Sequence, residues 1–206
     1  MRIFLLIITL TTLSTFRISA QEKTLLGNDE LSYGGFGGPV VKYVYVHGEP
    51  GVLIGGRGGW IINHSVVIGG GAYGLANDIK ADVPPFVDES GNIYNTFINF
   101  GYGGLELEYI MQSDQLLHFS VSTLIGGGEV GYRYKLPGAD GDGWDSNKDA
   151  FFIFEPSLNT ELNVVSFMRV GLGVSYRFIS GVNLDDPQNK DLAGPSGILT
   201  FKFGNF

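Results

Sequence analysis

No cysteine occurs among the 206 residues. That excludes a disulfide framework, a thiol nucleophile and an N-terminal lipid anchor on cysteine. Charge is sparse as well, at 17% of the chain, where soluble domains average about 25%. What charge there is leans acidic, with a net value of −8. Nucleic acid is therefore not expected as a partner, because its binders carry basic patches. Beyond the first twenty residues no apolar run reaches the ~20 positions a spanning helix needs. The glycine-rich stretch Gly55–Trp60 lacks the Lys-Ser/Thr pair of a phosphate loop, and no cofactor is expected. Glycine is abundant instead, at 32 residues, beside 13% aromatic and 44% hydrophobic content. Such a chain suits a β-barrel whose lipid contacts are spread over alternate strand residues.

The N-terminus reads as a segment to be removed. Met1-Arg2 gives a positive start, Ile3 to Phe16 is apolar, and Ala20 precedes Gln21. This pattern predicts a signal peptide over 1–20. Residues 21–37 follow as a periplasmic lead-in, and 38–206 as the barrel.

The rest of the chain divides by connection length. Eight strand-like segments are predicted at 38–47, 50–61, 64–75, 95–111, 115–128, 150–162, 166–180 and 195–205. After a short first connection, the turns Asn63-His64, Gln112-Ser113-Asp114 and Asn163-Val164-Val165 alternate with the long acidic segments 76–92, 137–149 and 181–194. A barrel with both ends on one side of a membrane gathers tight turns at one rim and long loops at the other. The fold class is thus all-β: one eight-stranded antiparallel transmembrane barrel, with short periplasmic turns and acidic extracellular loops. A soluble β-sandwich shares the alternation and is the fold alternative.

Period-two patterning assigns the faces. In the seventh segment Met168, Val170, Leu172, Val174, Tyr176 and Phe178 share one side, and Arg169, Gly171, Gly173, Ser175 and Arg177 the other. The first set should face lipid. Lys42 and Arg57 stand alone among apolar and glycine residues and should point inward, since charge on a lipid face costs several kcal/mol at mid-depth. Lys42, Arg57, Arg169, Arg177 and Lys202 then share a lumen with Glu106, Glu108, Glu155 and Glu161. Charges in so narrow a barrel are expected to pair. A nearly constant sum of positions across the sixth and seventh segments places Glu161 beside Arg169 and Glu155 near Arg177. In the fourth segment Phe100 and Tyr102 fall out of phase with Leu105 and Leu107, which predicts a bulge near Gly103-Gly104. The glycine clusters read as sites of curvature and close packing rather than as a void.

The segments GVLIGGRGGWIINHSVVIGGGAYGL, FGYGGLELEYI, HFSVSTLIGGG and EPSLNTELNVVSFMRVGLGVSYRFISG, ending in LTFKFGNF, resemble the small outer-membrane β-barrels of Gram-negative bacteria. They resemble most an uncharacterised family among them. The resemblance implies residence in the outer membrane after export, with lipid and the barrel-assembly machinery as partners. It also implies an assembly signal in the terminal aromatic Phe206, although Phe206 is out of phase with Phe201 and Phe203.

Two groups of residues suggest chemistry. His118-Phe119-Ser120 resembles the His-x-Ser of outer-membrane lipid A deacylases, with Glu106 or Glu108 available to orient the base. The following Asn of that motif is Val121 here, and a lumen-lining histidine is the plainer reading. Asp140, Asp142, Asp145 and Asp149 crowd one loop, where Asp-x-Asp spacing can offer oxygen ligands to Ca²⁺. The run lacks an EF-hand pattern, so Asp140, Asp142 and Asp145 stand as candidate ligands against a solvated loop. No catalytic residue is assigned. The expected role is structural or surface interaction, through a possible ligand at the long loops, with a narrow channel as the alternative and a lipid-modifying enzyme behind it.

Overall fold

The computed structural model describes residues 31–87, 91–135 and 142–206, the side chains of 135 and 142–147 excepted. The leader expected over 1–20, and Asp140, lie outside the described residues; Asp142 and Asp145 are placed by backbone alone. The strands are β1 (Tyr33–Val46), β2 (Glu49–Ile62), β3 (Val66–Leu75), β4 (Phe86–Val87), β5 (Ile93–Tyr94), β6 (Thr96–Met111), β7 (Leu117–Lys135), β8 (Asp142–Val165), β9 (Met168–Ser180) and β10 (Gly194–Asn205). A single helical turn, α1 (Asn189–Leu192), precedes β10. Eight strands close into a barrel in the order β1-β10-β9-β8-β7-β6-β3-β2. Each neighbouring pair is antiparallel. The small pair β4–β5 lies in the connection from β3 to β6.

Turn chemistry fixes the short connections. His47 and Gly48 both take positive φ, 53° and 75°, as a two-residue hairpin with primed geometry requires. Asn63 and His64 do the same at 48° and 54°, and the Ser65 N–H donates to the Ile62 carbonyl at 3.1 Å.

Several boundaries differ from the expected ones. β1 begins at Tyr33, so part of the lead-in 21–37 is barrel wall; its sequence YGGFGG has too few side chains to show alternation. β7 and β8 pair as far as Lys135 and Asp142, so much of 137–149 is hairpin rather than loop. A strand rising past a rim has no apolar face to betray it. No bulge interrupts β6 at Gly103-Gly104: pairing runs unbroken from Thr96 to Met111. Phe100 and Tyr102 point inward with Glu106 and Glu108. The face did not change along this strand; the chemistry of the inward positions did. Register shifts fall instead at Gly131/Arg133 and Asn163/Val165.

The wall is apolar outside, and the buried charged side chains of its strands turn inward. In β9, Leu172, Val174, Tyr176 and Phe178 are exposed while Arg169, Ser175 and Arg177 are buried. Tyr43, Tyr45, Tyr176 and Phe178 lie outward towards one end of the wall, and Tyr33, Trp60 and Tyr109 towards the other. This is an apolar band with aromatic borders, as lipid-facing barrels wear. From Met168 to Phe178 the outward run spans ten steps, or about 25 Å at ~3.3 Å per residue and ~40° tilt. Among the described residues no helix is long and apolar enough to cross a membrane.

A substitution on this band separates lipid from water as its surroundings. Val174→Arg is expected to lower folding stability in lipid vesicles by about 2–4 kcal/mol. Denaturant titration that shows no change would mean that Val174 faces water.

Candidate functional site

Three layers fill the lumen. Nearest the long connections is an apolar plug that includes Val44, Leu53, Ile98, Phe100, Val130 and Ile153. Two connections add to it: Ile79 and Leu192 are completely buried in the same cluster. Residues 79–81 are laid along β6, with Ile98 N–H donating to the Ile79 carbonyl at 2.8 Å and Ala81 N–H to the Thr96 carbonyl at 3.1 Å.

Beneath the plug lies the charged layer. Glu155 accepts from Lys42 Nζ at 2.7 Å and Tyr102 hydroxyl at 2.8 Å on one oxygen, and from Ser175 hydroxyl at 2.6 Å on the other. Lys42 Nζ also sits 3.6 Å from the centre of the Tyr73 ring, within range of a cation–π attraction. Tyr73 hydroxyl donates to Glu106 at 2.7 Å. Arg57 bridges two carboxylates, with Nε 2.7 Å from Glu106 and Nη2 3.0 Å from Glu108. Lys202 joins Glu108, at 2.9 and 3.0 Å, to Glu161. Ser120 donates to Glu108 at 2.6 Å. These groups form one connected network across β1, β2, β3, β6, β7, β8, β9 and β10. Every glutamate in it meets a cation, which is the condition for burying charge at tolerable cost.

The third layer closes the opposite end. Phe36, Ile61, Val67 and Ile110 form a second apolar cluster, with Phe206 packed against it. The out-of-phase position of Phe206 now has a physical reason. Its ring turns under the barrel, 6.4 Å from the Phe36 ring, and lies 4.1 Å from the Arg169 guanidinium.

The structure separates two pairs that the sequence had joined. The turn between β8 and β9 is Ser166-Phe167, not Asn163-Val164-Val165. Arg169 therefore pairs with Asn163 and Glu161 with Gly171. Glu161 is held by Lys202, and Arg169 lies on Phe206. Arg177 does sit near Glu155 in register, between the pairs Phe154–Phe178 and Ser157–Ser175. Its guanidinium instead donates to Ser196 hydroxyl at 2.5 Å and to the carbonyls of Leu192 and Tyr45 at 3.3 and 3.2 Å. A backbone-directed arginine cannot be distinguished from an ion-paired one by pattern alone.

His118 and Ser120 both line the lumen, each at most 2% exposed. His118 Nε2 lies 3.4 Å from Glu161, and Ser120 is bound to Glu108. No His118–Ser120 hydrogen bond forms among the described residues, and a buried hydroxyl held by a carboxylate has no path to a lipid ester. Tyr73, Tyr102 and Ser175 were missed as members of the network. Strict parity with Glu106 would have placed Tyr102 inside. Tyr73 stood among glycines, where parity has little to act on.

No family model and no curated protein matches the chain. Solved structures do. Neisserial surface protein A is 13% identical, with 86% of this chain and 99% of that one covered and a TM-score of 0.50. The N-terminal β-barrel domain of Pseudomonas aeruginosa OprF is 12% identical, covering 84% and 96%, with a TM-score of 0.47. The attachment invasion locus protein Ail of Yersinia pestis, in complex with the heparin analogue sucrose octasulfate, is 11% identical, covering 84% and 97%, also at 0.47. The likeness to Neisserial surface protein A is one of fold. The chain has the architecture of the small eight-stranded barrels of Gram-negative outer membranes.

The network predicts a coupling pattern. Lys42→Met leaves Glu155 buried without a cation and is expected to cost about 3–5 kcal/mol in unfolding stability. Adding Glu155→Gln should restore part of that loss. A cycle on Glu161 and Lys202 should show coupling above about 1 kcal/mol, and a cycle on Glu161 and Arg169 much less. Equal coupling in the two cycles would contradict the observed pairing.

Proposed function

We propose that the protein is a non-conducting outer-membrane barrel whose role is structural or surface interaction. The filled lumen carries this reading. The cavity at the heart of the charged layer, between Lys42, Arg57, Tyr73, Glu106 and Glu155, has a volume of about 20 Å³. That is room for about one water molecule. Apolar layers lie on both sides of it, so ions and solutes find no continuous polar path. Eight-stranded barrels are as a class only just wide enough for their own side chains.

Three observations support the location. The outward apolar band matches a bilayer, the leader-like residues 1–20 suit export, and the fold is shared with a surface protein of Neisseria. In this reading β1 starts and β10 ends on the periplasmic side. The rim that carries 76–87 and 181–193 then faces outward, where a rigid wall presents those segments to lipid headgroups or to a surface ligand. The barrel-assembly machinery would insert the chain, and Phe206 would be available to it before its ring docks under the barrel. The enzyme reading has no support from His118 and Ser120, which are buried in the lumen, with the Ser120 hydroxyl held by Glu108.

Purified protein in a planar bilayer should give no stable conductance steps at moderate voltage. Long-lived single-channel currents would replace this reading with a channel. Protease added to intact cells should cut within 76–95, 136–141 or 181–193. Cleavage confined to 63–65, 112–116 and 166–167 would invert the orientation.

A further inference from the structure

At the rim of the long connections, three metal-ligating side chains converge that take no part in the lumen network. His47 opens the turn between β1 and β2. Asp186 and Asp191 come from the connection between β9 and β10, Asp191 within α1. One ring nitrogen of His47 and one oxygen of each carboxylate lie within 4.8 Å of one another, and all three residues are half-buried.

The surrounding structure holds these groups in place. Asp186 Oδ2 accepts from the Asp82 N–H at 3.0 Å, and Asp191 Oδ2 from the Gln188 N–H at 2.9 Å. Each carboxylate thus has one oxygen fixed by backbone. The His47 N–H donates to the Asp191 carbonyl at 2.7 Å. Below them, buried Arg177 grips the carbonyls of Tyr45 and Leu192. Those residues lie two positions before His47 and one after Asp191, so a single side chain sets the spacing of the two segments.

A plain hydrogen bond explains part of this cluster. His47 Nε2 is 2.8 Å from Asp186 Oδ1, which accounts for two of the three groups. Asp191 in turn caps α1 through the Gln188 N–H, and neither bond supplies a counter-charge for its carboxylate. Two carboxylates beside one imidazole carry more negative charge than the imidazole can balance. No lysine or arginine forms an ion pair with either of them among the described residues. A dication supplies the missing charge. Calcium and magnesium take oxygen ligands, whereas an imidazole nitrogen with carboxylates suits zinc and its neighbours. A tetrahedral ion with bonds of about 2.0–2.1 Å sets its ligand atoms about 3.3 Å apart, a spacing that this cluster reaches with small side-chain shifts.

We propose that His47, Asp186 and Asp191 form a zinc-type divalent metal site that clamps the β1–β2 turn to the β9–β10 connection. A fourth position remains for water or a ligand donor. The site would stiffen the rim that the filled barrel presents, and it stands independently of whether the lumen conducts.

Calorimetric titration of the metal-free protein, folded in detergent, tests this with Zn²⁺ as the probe and Ca²⁺ as the comparison. One Zn²⁺ per chain is expected, with much weaker Ca²⁺ binding. Loss of even an outer-sphere partner costs about 10–100-fold in metal affinity, so His47→Ala should weaken Zn²⁺ binding by at least about a hundredfold and Asp191→Asn by at least about tenfold. Asp185→Asn, at an exposed neighbour, should leave it unchanged. Zn²⁺ should also slow proteolysis within 181–193 in the native protein and not in the His47 variant. Heat-modifiable gel mobility reports whether each variant is folded; if His47→Ala is not, Asp191→Asn decides alone. No stoichiometric binding would leave a His–Asp hydrogen bond only and overturn the site. Binding that survives both ligand substitutions, or that Asp185→Asn abolishes equally, would overturn it too.

Discussion

Charge buried in a barrel with room for about one water molecule sets the terms for the rest of this molecule. Four glutamates point into the lumen, and none is more than 6% exposed. An ion so placed loses its hydration and persists only with partners that replace it. Each glutamate is therefore joined to a lysine or arginine from another strand. These links cross the barrel rather than follow one hairpin. The network thereby ties distant strands together, and a change in the register of any one of them would strand a charge.

The same condition explains one inward glycine. A Cβ at Gly71 would come within 2.6 Å of Glu106 Oε1 and 2.8 Å of the Tyr73 hydroxyl. The missing side chain is the space in which that hydrogen bond forms. Gly71 thus makes room for long polar side chains, whereas Gly55, Gly69 and Gly126 allow neighbouring strands to approach, where a Cβ would meet a carbonyl oxygen at 2.0–2.1 Å. The apolar layers complete the arrangement. By excluding water from both ends they strengthen the interactions between them. They also make the loss of any partner more costly, which is why a barrel of this kind is poorly suited to passing ions.

Alternation made the wall legible in the sequence, and it did so best where each face had one character. Leu172, Val174, Tyr176 and Phe178 against Arg169, Ser175 and Arg177 assign both sides of β9 unaided. In β6 the inward face changes from Ile98, Phe100 and Tyr102 to Glu106 and Glu108. Hydropathy read that change of layer as a change of phase, because periodicity records polarity and not direction. Which cation meets which glutamate was illegible. Partners such as Lys42 and Glu155 are separated by 113 positions, and their meeting depends on closure of β1 against β10 and on barrel shear. The β8–β9 turn was misplaced because Val164 and Val165 continue a strand as readily as they interrupt one. The cluster of His47, Asp186 and Asp191 left no local motif, since a turn and a distant connection bring it together.

If the barrel is non-conducting, as proposed, its function falls to its rims. The wall holds strand ends at fixed separations, and Arg177 carries that rigidity upward by joining Tyr45 of β1 to Leu192 of α1 through their carbonyls. Ile79 and Leu192 anchor two connections in the upper plug. Tyr132 hydroxyl, from β7, donates to the Asp186 carbonyl. The segments above the mouth are therefore fastened to the wall at several points rather than left to sample space independently. Ordering them costs little further entropy on contact with a ligand, and preorganised surfaces bind more tightly for that reason. In the proposed role, the buried network bears on surface recognition indirectly. It fixes the frame from which the connections are hung, and the chemistry displayed there can vary without disturbing the ion pairs below.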